Sequence, residues 1–287
     1  MNYPDNLKIG DTIGICAPSC GIVKPEKILK LELAKKQLIE LGYNVIETES
    51  VRTELRGRSA TAKKRAEEFM ELYKNPNVKL IIFATGGDFL CEMLEYIDLK
   101  ELEQLKPKWI QGYSDITGLS FIFNTILDIP TMYSQSIKDY AMRPLFRSLK
   151  DTLKLESGEN IIQNSFELYE KDFFEENGLL NYQYNLTEKV YWNNIIGGDR
   201  IEIRGRSLGG CLDSLLFYFG TKYDNIENYI EKHKEDGFIW FFDVYDKPTS
   251  DIFKSMWQMN NAGYFKYCNG IVFGRPLFVK EEYRNFF

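Results

Sequence analysis

Ser114 is the residue of this sequence that is best placed for covalent chemistry. It lies in the segment Trp109-Ile-Gln-Gly-Tyr-Ser-Asp-Ile-Thr117, between a short apolar run and a run with helical spacing. A serine at such a strand-to-helix turn can project its hydroxyl above a sheet as a nucleophile. The usual elbow motif is Gly-x-Ser-x-Gly, and here Ile116 replaces the second glycine. Local sequence therefore favours a nucleophile and an N-cap of the following helix about equally.

Backbone amides on two segments could stabilise an oxyanion near this serine. The amide of Asp115, at the start of the predicted helix, can polarise a carbonyl oxygen. Gly86 and Gly87 follow a buried apolar run, and paired glycines let a backbone approach a ligand closely. They could supply the second donor, with Gly86 also contacting substrate, or they could form only a tight turn. No Gly-Lys-Ser/Thr follows, which argues against a phosphate loop.

A carboxylate ends a second apolar run. Asp243 directly follows Phe238-Ile-Trp-Phe-Phe242, where a carboxylate is costly unless it is paired or faces a cleft. It could orient a catalytic base, and Asp246 in the following loop is a second candidate. A strand-end carboxylate that accepts a hydrogen bond from a loop amide is the alternative interpretation.

A glycine-rich stretch and the single histidine complete the candidates. Gly209 and Gly210 could line a substrate cleft, or they could mark a turn that needs close packing. We do not expect Cys211 to be a nucleophile, because no histidine is near it in sequence. His233 lies in the charged run Glu231-Lys-His-Lys-Glu-Asp236, and we interpret it as a surface residue. This matters because a serine nucleophile needs a base.

Alternating strands and helices would place these residues at one edge of a sheet. Short apolar runs predict strands, and apolar residues at helical spacing predict helices. The strands fall at 11–18, 44–47, 78–84 and 108–111, and the helices at 25–41, 61–74, 89–96 and 115–127. This repetition predicts a parallel sheet with helices on both faces. Ligands bind at the carboxyl ends of such strands, where Gly86, Gly87 and Ser114 fall.

The second half predicts a smaller unit of the same class. The periodic pattern weakens from 149 to 191, which indicates a connection. Beyond it, the sequence predicts a helix at 211–219, a strand at 238–242, a helix at 250–261 with Ser250 as its N-cap, and a strand at 270–274. We therefore predict an α/β fold: a Rossmann-like, parallel-sheet N-terminal domain at 1–160, a connecting segment at 161–190 and a smaller α/β C-terminal domain at 191–287.

Composition excludes several classes of function. Among 287 residues, 36 lysines and arginines stand against 42 acidic residues, so the net charge of −6 argues against nucleic-acid binding. The sequence shows no secretory signal and no apolar run long enough to span a membrane. Five cysteines without a CxxC pair, together with a single histidine, predict reduced thiols, a cytoplasmic location and no metal site. We expect no cofactor.

Several segments, taken together, resemble the serine LD-carboxypeptidases. This family includes murein tetrapeptide carboxypeptidases and microcin C immunity peptidases. Each segment is modest alone, but in family order they span almost the whole chain and are highly specific. They are Leu7 to Ser19, Ala84-Thr-Gly-Gly87, Gln111-Gly-Tyr-Ser-Asp-Ile-Thr117, Gly209-Gly-Cys-Leu212, Gly220-Thr221, Trp240-Phe-Phe-Asp243, Met256-Trp-Gln-Met259 with Ala262-Gly263, and Gly274-Arg-Pro276.

The resemblance implies a two-domain protein, usually a homodimer, with a Ser-Glu-His triad. The serine corresponds to Ser114, the oxyanion donors to the backbone amides of Gly87 and Asp115, and the glutamate to Asp243. An aspartate is shorter by one C–C bond, about 1.5 Å. The family's histidine follows the Gly-Arg-Pro segment by some tens of residues, and His233 does not correspond to it. We therefore expect the C-terminal domain to be incomplete.

The favoured function is hydrolysis of an amide bond at an L,D C-terminal linkage, as in a murein tetrapeptide or a peptide-nucleotide antibiotic. The alternative is a non-catalytic, peptide-binding homologue without the triad histidine. A nucleotide-binding enzyme is weaker, since no complete dinucleotide or phosphate-loop motif occurs. Tyr182, Tyr184 and Trp192 could stack on a nucleobase or pack between domains. The expected partners are a peptide substrate and a second copy of the chain, and neither nucleic acid nor a membrane.

Overall fold

Five parallel strands form the first sheet, in the order β2-β1-β3-β4-β5. The computed structural model describes residues 1–171, 183–198 and 200–277. The strands are Thr12–Cys16 (β1), Asn44–Glu47 (β2), Val78–Phe83 (β3), Trp109–Gly112 (β4) and Met132–Tyr133 (β5). The predicted parallel sheet is confirmed, and its four predicted strands lie close to their expected bounds. The sequence does not predict β5, because a strand of two residues is too short to show a hydrophobic periodicity.

Helices cover this sheet. They are Pro25–Glu40 (α1), Ala62–Lys74 (α2), Leu99–Gln104 (α3), Thr117–Thr125 (α4) and Arg147–Glu156 (α5). Pro25 stands in the first turn of α1, and the Thr61 hydroxyl caps α2 by accepting from the Lys64 amide, 3.3 Å away. The helix predicted at 89–96 is instead a 3-10 helix, Leu90–Tyr96. α5 lies where the pattern indicated the start of a connection, and it buries Leu149 completely.

Three further parallel strands form the second sheet, in the order β10-β9-β8. The strands are Arg206–Cys211 (β8), Phe238–Asp243 (β9) and Cys268–Phe273 (β10), and the helices are Leu212–Leu215 (α6), Ile226–Lys232 (α7) and Thr249–Asn261 (α8). The smaller α/β unit is thus confirmed. The helix predicted at 211–219 is only one short α-turn followed by a 3-10 turn. Ser250 is not the N-cap of α8, since that helix begins at Thr249 after Pro248.

The part of the sequence between the first sheet and the second contains an antiparallel strand pair, Leu168–Tyr169 (β6) with Glu188–Lys189 (β7). The pair lies within the segment expected to connect the domains. The boundaries of the two domains themselves stay a prediction. No helix in the described ranges is long and apolar enough to cross a membrane.

One apolar core joins the two sheets. Phe121 and Ile122 of α4 belong to the same buried cluster as Leu208 of β8 and Trp240 of β9. A second cluster, which includes Ile13 and Leu31, fills the space between the first sheet and α1. Because α4 directly follows the Ser114 segment, the nucleophile candidate is held by packing from both units.

Candidate active site

Ser114 adopts a backbone conformation that a serine seldom takes. Its φ is +64°, in the left-handed region, and it sits just after the carboxyl end of β4. No side-chain cap bond joins it to the helix that follows, so the N-cap interpretation is wrong. The Thr117 hydroxyl donates to the Ser114 carbonyl at 2.6 Å and accepts from the Cys211 amide at 3.0 Å. The second unit therefore helps to hold this strained turn, as expected of a nucleophile elbow.

The Gly86-Gly87 turn lies directly against this serine. A Cβ on Gly86 would stand 2.9 Å from Ser114 Cβ and 3.0 Å from its Oγ, and 3.5 Å from the Asp115 amide nitrogen. Gly87 has a φ of +154°, and a Cβ there would overlap Ser19 Oγ and lie 2.5 Å from Cys20 Sγ. Only glycine fits this close approach, so the structure brings together the segments from which both predicted oxyanion donors come.

The Asp115 carboxylate ties two loops to the serine turn. Its Oδ2 accepts hydrogen bonds from Ser19 Oγ at 2.6 Å and from the Leu90 amide at 2.9 Å. Ser19 follows β1 and Leu90 follows the glycine turn after β3. Asp115 is buried, and this burial raises the pKa of its carboxyl above the ordinary value. The side chain thus acts as a structural anchor, while the amide of the same residue borders the site.

A buried arginine holds the same two loops from α2. One guanidinium nitrogen of Arg65 donates to the carbonyls of Pro18 at 2.7 Å and Phe89 at 2.9 Å, and the other pairs with Glu92 at 2.7 Å. The sequence analysis missed this residue. A signal was present, because Arg65 lies four residues before Phe69 and eight before Tyr73, on the face of α2 that faces the core.

Tyr133 links Ser114 to Asp243. The phenolic oxygen accepts from the Ser114 amide at 3.2 Å and donates to Asp243 Oδ2 at 3.0 Å. Burial raises the pKa of Asp243 above its ordinary value, and the hydrogen bond from Tyr133 opposes that rise. Burial also raises the pKa of Tyr133 well above 10, so this phenol stays protonated. The Tyr133 hydroxyl therefore connects Asp243, at the carboxyl end of β9, to the Ser114 turn.

Sequence reasoning missed Tyr133 because its strand is too short to recognise. The strand–helix alternation itself was a usable signal, since a fifth strand is expected after α4 in such a sheet. Tyr133 ends that strand, at the same edge as Ser114.

The remaining candidates from the second unit have clear structural surroundings. A Cβ on Gly209 would overlap the Phe241 backbone, and one on Gly210 would stand 2.6 Å from Thr117 Cγ2. Close packing thus accounts for both glycines, and their contact with substrate stays a prediction. The Asp246 amide donates to Asp213 Oδ1 at 3.0 Å. Asp213, which sequence reasoning did not single out, thereby shapes the loop after Asp243.

His233 is not a surface residue, contrary to the sequence-based interpretation. It is only 8% exposed, and its Nε2 lies 2.8 Å from Asp128 Oδ1. Its ring also packs edge-on against Tyr229. The charged neighbours in sequence hid the helical spacing from Ile226 through Tyr229 and Ile230 to His233, which places all four on one buried face. The Asp128 bond engages this histidine away from the residues around Ser114.

The three aromatic side chains that could stack on a nucleobase have different surroundings. Tyr184 packs edge-on against Phe146, with ring centroids 4.9 Å apart. Trp192 is exposed, and its indole nitrogen donates to Ser165 Oγ at 2.8 Å. Tyr182 lies outside the described residues. In the described ranges, no group of three or more metal-binding side chains is placed to hold an ion.

Curated relatives are named as carboxypeptidases or as a microcin immunity protein. A putative carboxypeptidase of Vibrio cholerae is 27% identical over 233 residues, which cover 78% of this chain and 66% of the relative. The microcin C7 self-immunity protein MccF of Escherichia coli is 26% identical over 226 residues, covering 76% of this chain and 63% of that protein. A probable murein peptide carboxypeptidase of Bacillus subtilis is 31% identical over 120 residues, 42% of this chain and 36% of the relative. The chain thus spans less than two thirds of the length of these relatives.

Solved structures share the fold. MccF in complex with glutamyl sulfamoyl guanosine superposes with a TM-score of 0.80 at 21% identity, covering 99% of this chain and 83% of that one. An MccF-like protein from Streptococcus pneumoniae in complex with AMP gives 0.77 at 24% identity, covering 96% and 84%. Family models match at residues 13–134, the LD-carboxypeptidase N-terminal domain, and at 204–285, the LD-carboxypeptidase C-terminal domain. The chain therefore belongs to the LD-carboxypeptidase family.

Proposed function

We propose that this protein is a serine-type carboxypeptidase that hydrolyses an amide bond at an L,D C-terminal linkage. The observation that carries the proposal is the strained Ser114 turn, which lies against Gly86 and is joined to Asp243 through one hydroxyl. Both domain models and the carboxypeptidase names of the relatives support the same reaction class.

In the proposed reaction, Ser114 Oγ attacks the carbonyl carbon of the scissile amide. The backbone amides of Gly87 and Asp115 donate to the oxygen that becomes negatively charged. The amine of the C-terminal residue then leaves with a proton, and an acyl ester on Ser114 remains. Water hydrolyses this ester and regenerates the serine hydroxyl.

The proton on Ser114 needs an acceptor, and this step sets the expected rate. The family supplies a histidine oriented by a carboxylate, a role that we propose for Asp243. The single histidine of these 287 residues, His233, is bonded to Asp128. A triad without its base loses about 10⁴–10⁶ in turnover. We therefore expect slow hydrolysis by this 287-residue chain, detectable at high protein concentration over long incubation.

The stereochemistry of the substrate tests the proposed function. A murein tetrapeptide that ends in D-alanine is incubated with the protein, and free alanine is measured over time. We expect release from this peptide and none from the diastereomer that ends in L-alanine. Equal release from both, or release by Ser114→Ala at the rate of the unchanged protein, contradicts an LD-carboxypeptidase.

The natural substrate is either a cell-wall peptide or a peptide-nucleotide conjugate, and a parallel assay separates them. MccF has been solved with aminoacyl sulfamoyl nucleosides, and another relative is named a murein peptide carboxypeptidase. We propose the murein peptide as the first substrate, because Tyr184, a candidate for stacking on a nucleobase, is already packed on Phe146. Faster cleavage of an aminoacyl sulfamoyl adenosine would reverse this order.

We also propose a homodimer, as the resemblance implies, and a cytoplasmic location, as the cysteine pattern predicts. Light scattering after size exclusion should then give twice the chain mass of 33.6 kDa. A mass equal to one chain across the micromolar range contradicts the dimer, and recovery of the protein in the extracytoplasmic fraction contradicts the location.

A further inference from the structure

Four lysines surround a cavity at the end of the first sheet opposite Ser114. The cavity measures about 190 Å³ and lies at the amino ends of β3 and β4, below the end of α2. Its lining includes Lys74, Lys79, Lys106 and Lys108, the ring of Tyr73 and a single acidic residue, Asp5. None of the residues assigned to the serine site lines it, so it is a separate feature.

Two of these lysines are neutralised and one is not. Lys74 pairs with Glu101 at 2.7 Å, and Lys106 pairs with Asp5. In the part of the chain that the structure describes, Lys79 forms no ion pair and its ammonium group makes no hydrogen bond, although its charge adds to the effect of the Lys106 hydrogen bond in lowering the pKa of Asp5. The cavity therefore carries an excess of positive charge.

Lys108 adds a buried cation without an acidic partner. It is 7% exposed, and its Nζ donates to the carbonyls of Leu72, at 3.2 Å, and Asn75, which close the end of α2. These bonds use two of three ammonium protons. Burial and repulsion from Lys79 lower the pKa of Lys108 to about 8.

Capping of α2 explains why Lys108 is buried, but it does not explain the position of Lys79. A lysine at a helix C-terminus is favourable because it satisfies carbonyl groups that lack partners within the helix. Lys79 makes no such bond, and it brings a second positive charge towards the buried ammonium group of Lys108, while the nearby Asp5 carboxylate is already paired with Lys106. Like charges held together at a cost are typical of a site that binds the opposite charge.

We propose that this cavity binds a small dianion, either inorganic phosphate or the phosphate group of a phosphomonoester. Lys79 and Lys108 are the two lysines of the lining that belong to no ion pair in the described residues, and their charges match that of the dianion. Ammonium groups bind phosphate as point charges, which suits lysine at this place. The wall formed by Tyr73, Pro76 and Pro107 offers apolar contact to the organic part of an ester.

A titration with inorganic phosphate and with phenyl phosphate, at constant ionic strength and followed by ¹⁵N NMR, tests the site. We expect saturable shifts of the amides of Tyr73, Lys79 and Lys108, with phenyl phosphate binding more tightly than phosphate. Lys79→Ala should weaken both by about fivefold. Lys63→Ala, which removes the same charge from the other end of α2, should leave binding unchanged.

The Lys79 variant is preferred to a Lys108 variant because Lys108 also holds the end of α2. Unchanged thermal unfolding of Lys79→Ala separates lost binding from lost structure. Two results overturn the proposal. One is a set of amide shifts that does not saturate by about 20 mM ligand in the unchanged protein, and the other is equal binding by Lys79→Ala and Lys63→Ala. Neither readout depends on hydrolysis at Ser114, so the two proposals stand or fall separately.

Discussion

At the scale of single residues, the strained backbone of Ser114 is accommodated because Gly86 has no side chain. Ser114 has a left-handed φ, and the Gly86 backbone lies directly beside its Cβ and Oγ. The sequence predicts a turn at both places. It does not show that the two turns touch, because their contact depends on the register of β3 against β4.

Gly86→Ala should damage the site without unfolding the protein. The new methyl group would stand 3.0 Å from Ser114 Oγ and displace it, and a shift of about 1 Å at a nucleophile costs about 100-fold in rate. The rate of alanine release from the tetrapeptide measures this. Gly274→Ala is the control, because its nearest neighbour would be 3.4 Å away. Full activity in Gly86→Ala contradicts the placement of this turn beside the reacting atoms.

Tyr133→Phe should alter the pH dependence of turnover. The hydroxyl lowers the pKa of Asp243, so its removal raises that pKa further. If ionised Asp243 supports the reaction, the acidic limb of the rate profile moves to higher pH, and turnover falls by about tenfold. Tyr140→Phe removes another buried hydroxyl, one bonded to Gln111, and should leave the limb in place. If the acidic limb of the rate profile stays in place in Tyr133→Phe, ionised Asp243 does not support the reaction.

At the scale of elements, the site depends on loops that are tied together by charged groups. The loops after β1 and β3 are held by the Asp115 carboxylate on one side and by the Arg65 guanidinium on the other. The strands β1 to β4, β9 and β10 and the helices α1, α2, α4 and α8 follow from hydrophobic period, whereas β5 to β8 do not. The ties do not, because they join residues 24 to 96 positions apart and satisfy backbone groups that have no sequence pattern.

Arg65→Lys should destabilise these loops. A lysine cannot reach two carbonyls and Glu92 together with one ammonium group, so buried acceptors lose their donors. We expect a loss of about 2–3 kcal/mol in the free energy of unfolding, measured by urea titration. Arg52→Lys changes a partly exposed arginine paired with Glu47 and should cost less than about 1 kcal/mol. Equal losses in the two variants contradict the special role of Arg65.

At the scale of the whole molecule, two sheets with facing carboxyl ends share one core and hold the site between them. The α/β class and the order of segments could be predicted from strand–helix alternation and from family resemblance. The short strand β5, the helix α5 and the burial of His233 could not, because tertiary packing outweighs weak or misleading local patterns there. The same packing fully buries the carboxyl group of Glu156.

Glu156 should make stability depend on pH. Its side chain is fully buried, neither carboxyl oxygen has a partner in the described residues, and burial raises its pKa well above the ordinary value. A raised pKa means that this group stabilises the fold most below the unfolded pKa of about 4.3 and loses that contribution as pH rises, by about 1.4 kcal/mol per unit.

Glu156→Gln therefore should gain stability relative to the unchanged protein as pH rises from 5 to 8. Urea unfolding of both proteins across that range measures the difference. The exposed Glu159→Gln serves as the control and should show no trend. A constant difference for Glu156→Gln across the range contradicts a carboxyl group that stays protonated in the folded state.

The most direct test of the central claim is rescue of hydrolysis by imidazole. We propose Ser114 as the nucleophile, and the single histidine among the 287 residues is bonded to Asp128. Free imidazole should therefore accelerate release of D-alanine from the tetrapeptide in proportion to its concentration, and Ser114→Ala should show no acceleration. Equal imidazole-dependent release by the unchanged protein and by Ser114→Ala would contradict Ser114 as the nucleophile.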